Sequence, residues 1–242
     1  MNSKRLTVFA SGTGSNFKAL HQAVLNHEIP ACITALVCDN PEAGALQYAR
    51  SHKIRTHLII PSNFPDRQSY EKKLESVLVD EAPDLIILAG YLKKIPDRIV
   101  DIFPQRIINI HPALLPAYGG KGWYGLRVHR AVIDNRDKLS GCTIHFVSKI
   151  YDDGPIIAWA TVPVYTGDTP ESLAERVQQQ EHILYPKVVQ QLLTRNTTLT
   201  NKTDQPDHND HDKKNYHDDN LNQSDHNNET DRDDQNDHNT KS

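Results

Sequence analysis

Residues 84–90 read DLIILAG: after Asp84 comes an unbroken apolar run that ends in the small pair Ala89-Gly90. A strand with one wet face alternates apolar and polar side chains. A run that is apolar throughout belongs in the middle of a parallel sheet, with helices over both faces. Working outward from it, similar short runs alternate with longer segments of helical spacing. Toward the N-terminus, THLII (56–60), CITALVC (32–38) and Leu6–Ala10 are strand-like. Between them lie FKALHQAVLNH (17–27), with Phe17, Leu20, Ala23 and Val24 at helical spacing, and AGALQYARSH (43–52). DRQSYEKKLESVLVDEA (66–82) sets Tyr70, Leu74, Val77 and Leu78 on one stripe. Toward the C-terminus come the strand RIINI (106–110), the helix YGLRVHRAVID (124–134) and two more strands, GCTIHFVS (141–148) and PIIAWATVPV (155–164). The last helix, 169–193, opens at a capping box for which Asp168 with Glu171 fits better than Thr169 with Ser172. This alternation predicts an α/β fold: a Rossmann-like, mostly parallel sheet flanked by helices.

Residues 1–195 suffice for that single domain, and residues 196–242 are left over. In the remainder, rich in Asp, Asn and His, Leu199, Tyr216 and Leu221 are the only large apolar side chains. Such a segment cannot bury enough surface to offset the entropy of ordering it, so a disordered tail is expected. Its histidines (His208, His211, His217, His226 and His238) among carboxylates offer loose metal binding as an alternative to a plain solvating extension. Residues 201–242 carry a net charge of −7 against −4 for the whole chain, which leaves about +3 for the first 200. A mildly basic body suits an anionic small molecule. It has no Lys/Arg runs of the kind that bind nucleic acid. Cys32, Cys38 and Cys142 lie in apolar segments without CxxC spacing, which argues against a disulfide framework or zinc site and for a reducing cytoplasm. With no apolar run of about 18 residues and no apolar leader, neither a membrane span nor a secretory signal is expected.

Five stretches can carry chemistry. SGTGSN (11–16) joins a strand to a helix. Gly12 and Gly14 permit a tight turn, Ser15 or Asn16 could cap the helix, and its free N–H groups form an anion site. Phe17 stands where a dinucleotide fingerprint needs its third glycine, so that reading is weak even with Asp39 ending the next strand. NIHP (109–112) ends a strand at the sheet's carboxyl edge, where open α/β sheets bind ligands. Asn109 and His111, two apart, project to one face, so an amide can hold a carbonyl oxygen while an imidazole handles a proton. YDDGP (151–155) reads as a hairpin turn, or as a source of a carboxylate that would raise the His111 pKa and fix its tautomer. HPALLPAYGGKGWYG (111–125) is a long glycine-rich loop, of a kind more often functional than idle. On the last helix, Gln178, Glu181 and His182 fall near one face, which reads either as functional or as merely solvated.

FASGTGSN, LIILAGYLKKIP, INIHPALLPAYGG, DDGPII and RVQQQEHILYP, in that order, resemble the phosphoribosylglycinamide formyltransferases over about residues 5–192. The resemblance implies transfer of the formyl group of 10-formyltetrahydrofolate, a co-substrate, to the amine of 5-phosphoribosylglycinamide, with no metal. It implies Asn109, His111 and Asp152 as catalytic residues, with Asn109 and a protonated His111 holding the oxyanion. Gly14, Ser15 and Asn16 are implied as the phosphate loop, and Glu181 as a contact to the nucleotide. Tyr91, Leu92, Lys93 and Ile95, together with the Asp152 loop from Lys149 to Gly154, are implied to hold the folate. Asp153 stands where the family often has glycine, and the spacing back from Gly154-Pro155 favours Asp152 over Asp153 as the catalytic carboxylate. The alternatives are a formyltransferase for another amine, such as an amino-sugar nucleotide or charged initiator tRNA, and a non-catalytic nucleotide-binding domain using SGTGSN alone.

Overall fold

The structure, a computed structural model, describes residues 3–194. The expected disordered tail at 196–242, with its histidines, lies outside the described residues. Seven strands form one sheet: β1 (Lys4–Ala10), β2 (Ala31–Cys38), β3 (Arg55–Leu58), β4 (Leu85–Leu88), β5 (Ile107–His111), β6 (Leu139–Phe146) and β7 (Ile156–Pro163). Their order is β3-β2-β1-β4-β5-β6-β7, parallel from β3 through β5 and antiparallel where β6 joins β5 and β7 joins β6. Strand β4 sits at the centre with all its residues buried. Its neighbours in sequence go to opposite faces: Leu85 and Ile87 into one core, Ile86 and Leu88 into the other. Each such side chain contributes roughly 1.5–3 kcal/mol by leaving water, which is why the run tolerates no polar break.

The helices are α1 (Ser15–Leu25), α2 (Gly44–Ser51), α3 (Arg67–Glu81), α4 (Asp97–Ile102), α5 (Leu126–Asp134) and α6 (Pro170–Thr194). Phe17, Leu20, Leu46, Val132, Leu173 and Val177 cover one face of the sheet, while Tyr70, Leu74, Leu78 and Ile99 cover the other. Helix α4 does not show in the sequence pattern, because its one buried residue, Ile99, leaves no period to detect.

Two capping expectations are corrected. The N-cap of α1 is Gly14, at φ +74° and without a side-chain cap; Ser15 and Asn16 already lie inside the helix. At the start of α6 the reciprocal box is Thr169–Ser172: the Ser172 N–H donates to Thr169 Oγ1 at 3.2 Å and the Thr169 N–H to Ser172 Oγ at 3.0 Å. Asp168 is drawn off by Arg176, whose guanidinium donates to both its oxygens at 2.8 Å, and this strong bidentate pair outcompetes a cap.

Candidate active site

Strand β5 ends at His111, and Pro112 cannot continue the ladder. The loop that follows is pinned from β6: Thr143 Oγ1 donates to the Ala113 carbonyl at 2.7 Å and accepts the Leu115 N–H at 3.1 Å. Asn109 and His111 therefore point together from a fixed edge. The antiparallel register sets His145 of β6 opposite Asn109 and Thr143 opposite His111. Asp152, in the 147–155 connection between β6 and β7, reaches the same place from a left-handed backbone at φ +53°. Gly154 lets that connection fold in, since a Cβ there would lie 1.7 Å from the Phe146 carbonyl oxygen.

The side chains converge on Asp152. Its Oδ2 accepts the Gly120 N–H at 2.9 Å and lies 3.5 Å from His111 Nδ1. Its Oδ1 lies 3.5 Å from both Asn109 Nδ2 and His145 Nε2. His111 Nε2 donates to the Tyr118 carbonyl at 2.7 Å. Asp153 is exposed beside this cluster. Burial pushes the Asp152 carboxyl up, but the polar groups around it, the Gly120 N–H among them, hold it below the ordinary carboxylate range.

The expected rise in the His111 pKa is not what results. Burial is the larger influence and lowers it, outweighing Asp152 and the Tyr118 carbonyl, both of which favour the proton. The resting imidazole is pushed toward its neutral form. His129, on α5 and equally buried, is pulled down to about 4 by burial and then by His111 nearby.

A cleft of about 920 Å³ opens over these groups, along the carboxyl ends of β1, β4 and β5. Gly14, Ser15, Asn16, Tyr91, Leu92, Lys93, Ile95, Asn109, His111, Asp152 and Glu181 line it, and of the 149–154 loop Ile150 and Tyr151 do so as well, while Lys149, Asp153 and Gly154 do not. Asn16, which does not cap α1, donates instead to Glu181 Oε2 at 2.7 Å. Glu181 is 7% exposed, and burial raises its pKa against that hydrogen bond. The trio on α6 divides: Gln178 and Glu181 face the cleft, whereas His182 lines a separate groove between α1 and α6. Tyr91 packs edge-on against Phe9 in the core beneath α3, and the Leu92 N–H is held by Ser11 Oγ at 3.0 Å. That bond ties the segment after β4 to the end of β1.

Sequence reasoning missed His145 and His129, which also line the cleft. The one signal for His145 was an imidazole between the apolar Ile144 and Phe146, and only the β5–β6 register gives it a partner.

The family model described as formyl transferase matches residues 4–189. The chain is 46% identical over 188 residues to the chloroplastic phosphoribosylglycinamide formyltransferase of Arabidopsis thaliana, covering 77% of this chain and 64% of that one. It thus spans a little under two thirds of that relative's length. It is 37% identical to the phosphoribosylglycinamide formyltransferase of Escherichia coli K12, covering 76% of this chain and 84% of the other. Among solved structures, the phosphoribosylglycinamide formyltransferase of Bacillus halodurans superposes with a TM-score of 0.75 at 34% identity, over 81% of this chain and 98% of that one.

Proposed function

Because the chain belongs to the formyl transferase family, we propose that its cleft transfers the formyl group of 10-formyltetrahydrofolate to the amine of 5-phosphoribosylglycinamide, a step of purine biosynthesis. The observation that carries this reading is that Asn109 and His111 each lie 3.5 Å from Asp152, in a cleft that the uncapped N-terminus of α1 also lines. Attack of an amine on a formyl carbon creates an oxyanion, and donors aimed at it in advance lower the barrier. The Asn109 amide and the His111 ring are those donors. A ring that rests neutral takes up charge as the amine gives up its proton, and the oxyanion and Asp152 then balance that charge in the buried site. Asp152 helps pass the proton to the departing folate nitrogen. The products are N-formylated nucleotide and tetrahydrofolate, and no step requires a metal or a covalent enzyme intermediate.

The free N–H groups around Gly14, Ser15 and Asn16 receive the phosphate, as helix starts do. Glu181, fixed by Asn16, takes the hydroxyls or amine of the same nucleotide. Tyr91, Leu92, Lys93, Ile95 and the loop carrying Asp152 hold the folate. Among the described residues no helix is long and apolar enough to cross a membrane, and Cys32, Cys38 and Cys142 are free. We place the reaction in the cytoplasm, with these small molecules rather than nucleic acid as partners.

The test mixes the protein with 10-formyltetrahydrofolate and follows its deformylation with and without the nucleotide. Loss of formyl that depends on 5-phosphoribosylglycinamide and yields its formyl product supports the reading. Loss that ignores the nucleotide, or occurs only with another amine, overturns it.

A further inference from the structure

An amide can turn either of its ends toward a substrate, and for an oxyanion only the N–H end is useful. We infer that His145 decides which end Asn109 presents, as a positioning residue that acts through Asn109 and touches no reacting atom. The reasoning starts from the other side of the ring. His145 Nδ1 lies 2.9 Å from the Phe146 carbonyl oxygen. A carbonyl can only accept, so Nδ1 carries the hydrogen. In the neutral ring Nε2 is then a lone pair, and it lies 3.1 Å from Asn109 Nδ2. A lone pair there requires an N–H opposite it, which holds the amide nitrogen toward β6.

The other N–H of that same nitrogen is what the reaction uses. Asp152 Oδ1 at 3.5 Å lies beyond the usual N–H···O range of about 2.7–3.2 Å and makes only a weak claim on it. Turned over, Asn109 would set its oxygen against the Nε2 lone pair and present an acceptor where negative charge develops. His145 is 2% exposed, so water does not replace it. Direct pairing of Asn109 with His145 in the β5–β6 register holds both backbones in place, so the selection costs no loop ordering. The competing arrangement has a hydrogen on Nε2 facing Asp152 Oδ1 at 3.5 Å, with the amide reversed.

The inference rests on the formyl-transfer reading for its kinetic arm only. In the first arm, the full chain labelled with ¹⁵N at histidine is studied by NMR, with His145 assigned by comparison with His145→Gln. From the geometry a hydrogen on Nδ1 and a bare Nε2 are expected; a hydrogen on Nε2 overturns the inference whatever the enzyme's acceptor. In the second arm, His145→Phe should lower kcat at least about tenfold, with both KM values within about twofold, because a misaimed donor harms the transition state more than binding. His145→Gln, which keeps an acceptor near the Nε2 position, should recover most of the rate. Asn109→Ala combined with His145→Phe should be no slower than Asn109→Ala alone, since the effect passes through Asn109. A Gln variant as slow as Phe, or a double variant with multiplied losses, overturns it. Should the Phe variant fail to fold, the Gln variant and the NMR arm still decide. A wild-type chain that forms no formylated nucleotide would sink the functional reading and leave the tautomer result standing.

Discussion

Asn109 and His111 are both close to Asp152, yet their neighbours differ, and so do the consequences of removing them. His111 faces two acceptors, Tyr118 and Asp152, in a buried place that disfavours its charge. Loss of one oxyanion donor elsewhere costs on the order of 3 kcal/mol. Asn109→Ala and His111→Ala are therefore each expected to lose at least about a hundredfold in turnover. Steady-state kinetics on either variant at wild-type rates would remove that residue from the mechanism. His129 gives a stability prediction. Its pKa is brought from 6.5 to about 4, so the folded chain refuses a proton that the unfolded chain accepts. The stability this residue contributes is whole above pH 6.5 and is lost as the pH falls toward about 4. Between about pH 7 and pH 4.5 the wild type should lose up to about 3 kcal/mol more than His129→Gln, read from urea midpoints. Parallel losses in the two proteins would show that His129 titrates normally.

At the scale of elements, the start of α1 depends on one backbone conformation. Gly14 sits at φ +74°, and a Cβ there would meet the Ala45 Cβ at 2.7 Å. Gly14→Ala thus combines left-handed strain with a collision against α2, a cost of roughly 1–3 kcal/mol. The shift should displace the N–H groups at the helix start. We expect KM for 5-phosphoribosylglycinamide to rise about tenfold or more while KM for the folate stays within about twofold, since only the phosphate meets that turn. Equal changes in both would indicate general loosening of the fold. The capping result at α6 belongs to the same scale. Asp168 looked like a cap by its spacing, but spacing does not show that Arg176, about two turns further along, claims both carboxylate oxygens.

For the whole molecule, the described elements close by Thr194. Both cores and every lining residue of the cleft lie before that point. A chain ended after residue 195 is expected to keep the urea midpoint and the kcat of the full chain; a lowered midpoint or rate would give residues 196–242 a part in folding or catalysis. The α/β class, the central position of DLIILAG and the order of elements were legible in the sequence, because burial on two faces leaves apolar runs and burial on one leaves a helical period. NIHP and SGTGSN were legible because proline and glycine restrict the backbone locally. The tertiary structure alone decided the rest. It brought Asp152 within 3.5 Å of His111, joined Asn16 to Glu181 across 165 positions, and set His145 opposite Asn109. It also reversed the expected direction of the His111 pKa. The physical reason is common to all four. Register, ion pairing and desolvation depend on distances between segments far apart in the chain, and local pattern carries no record of those distances.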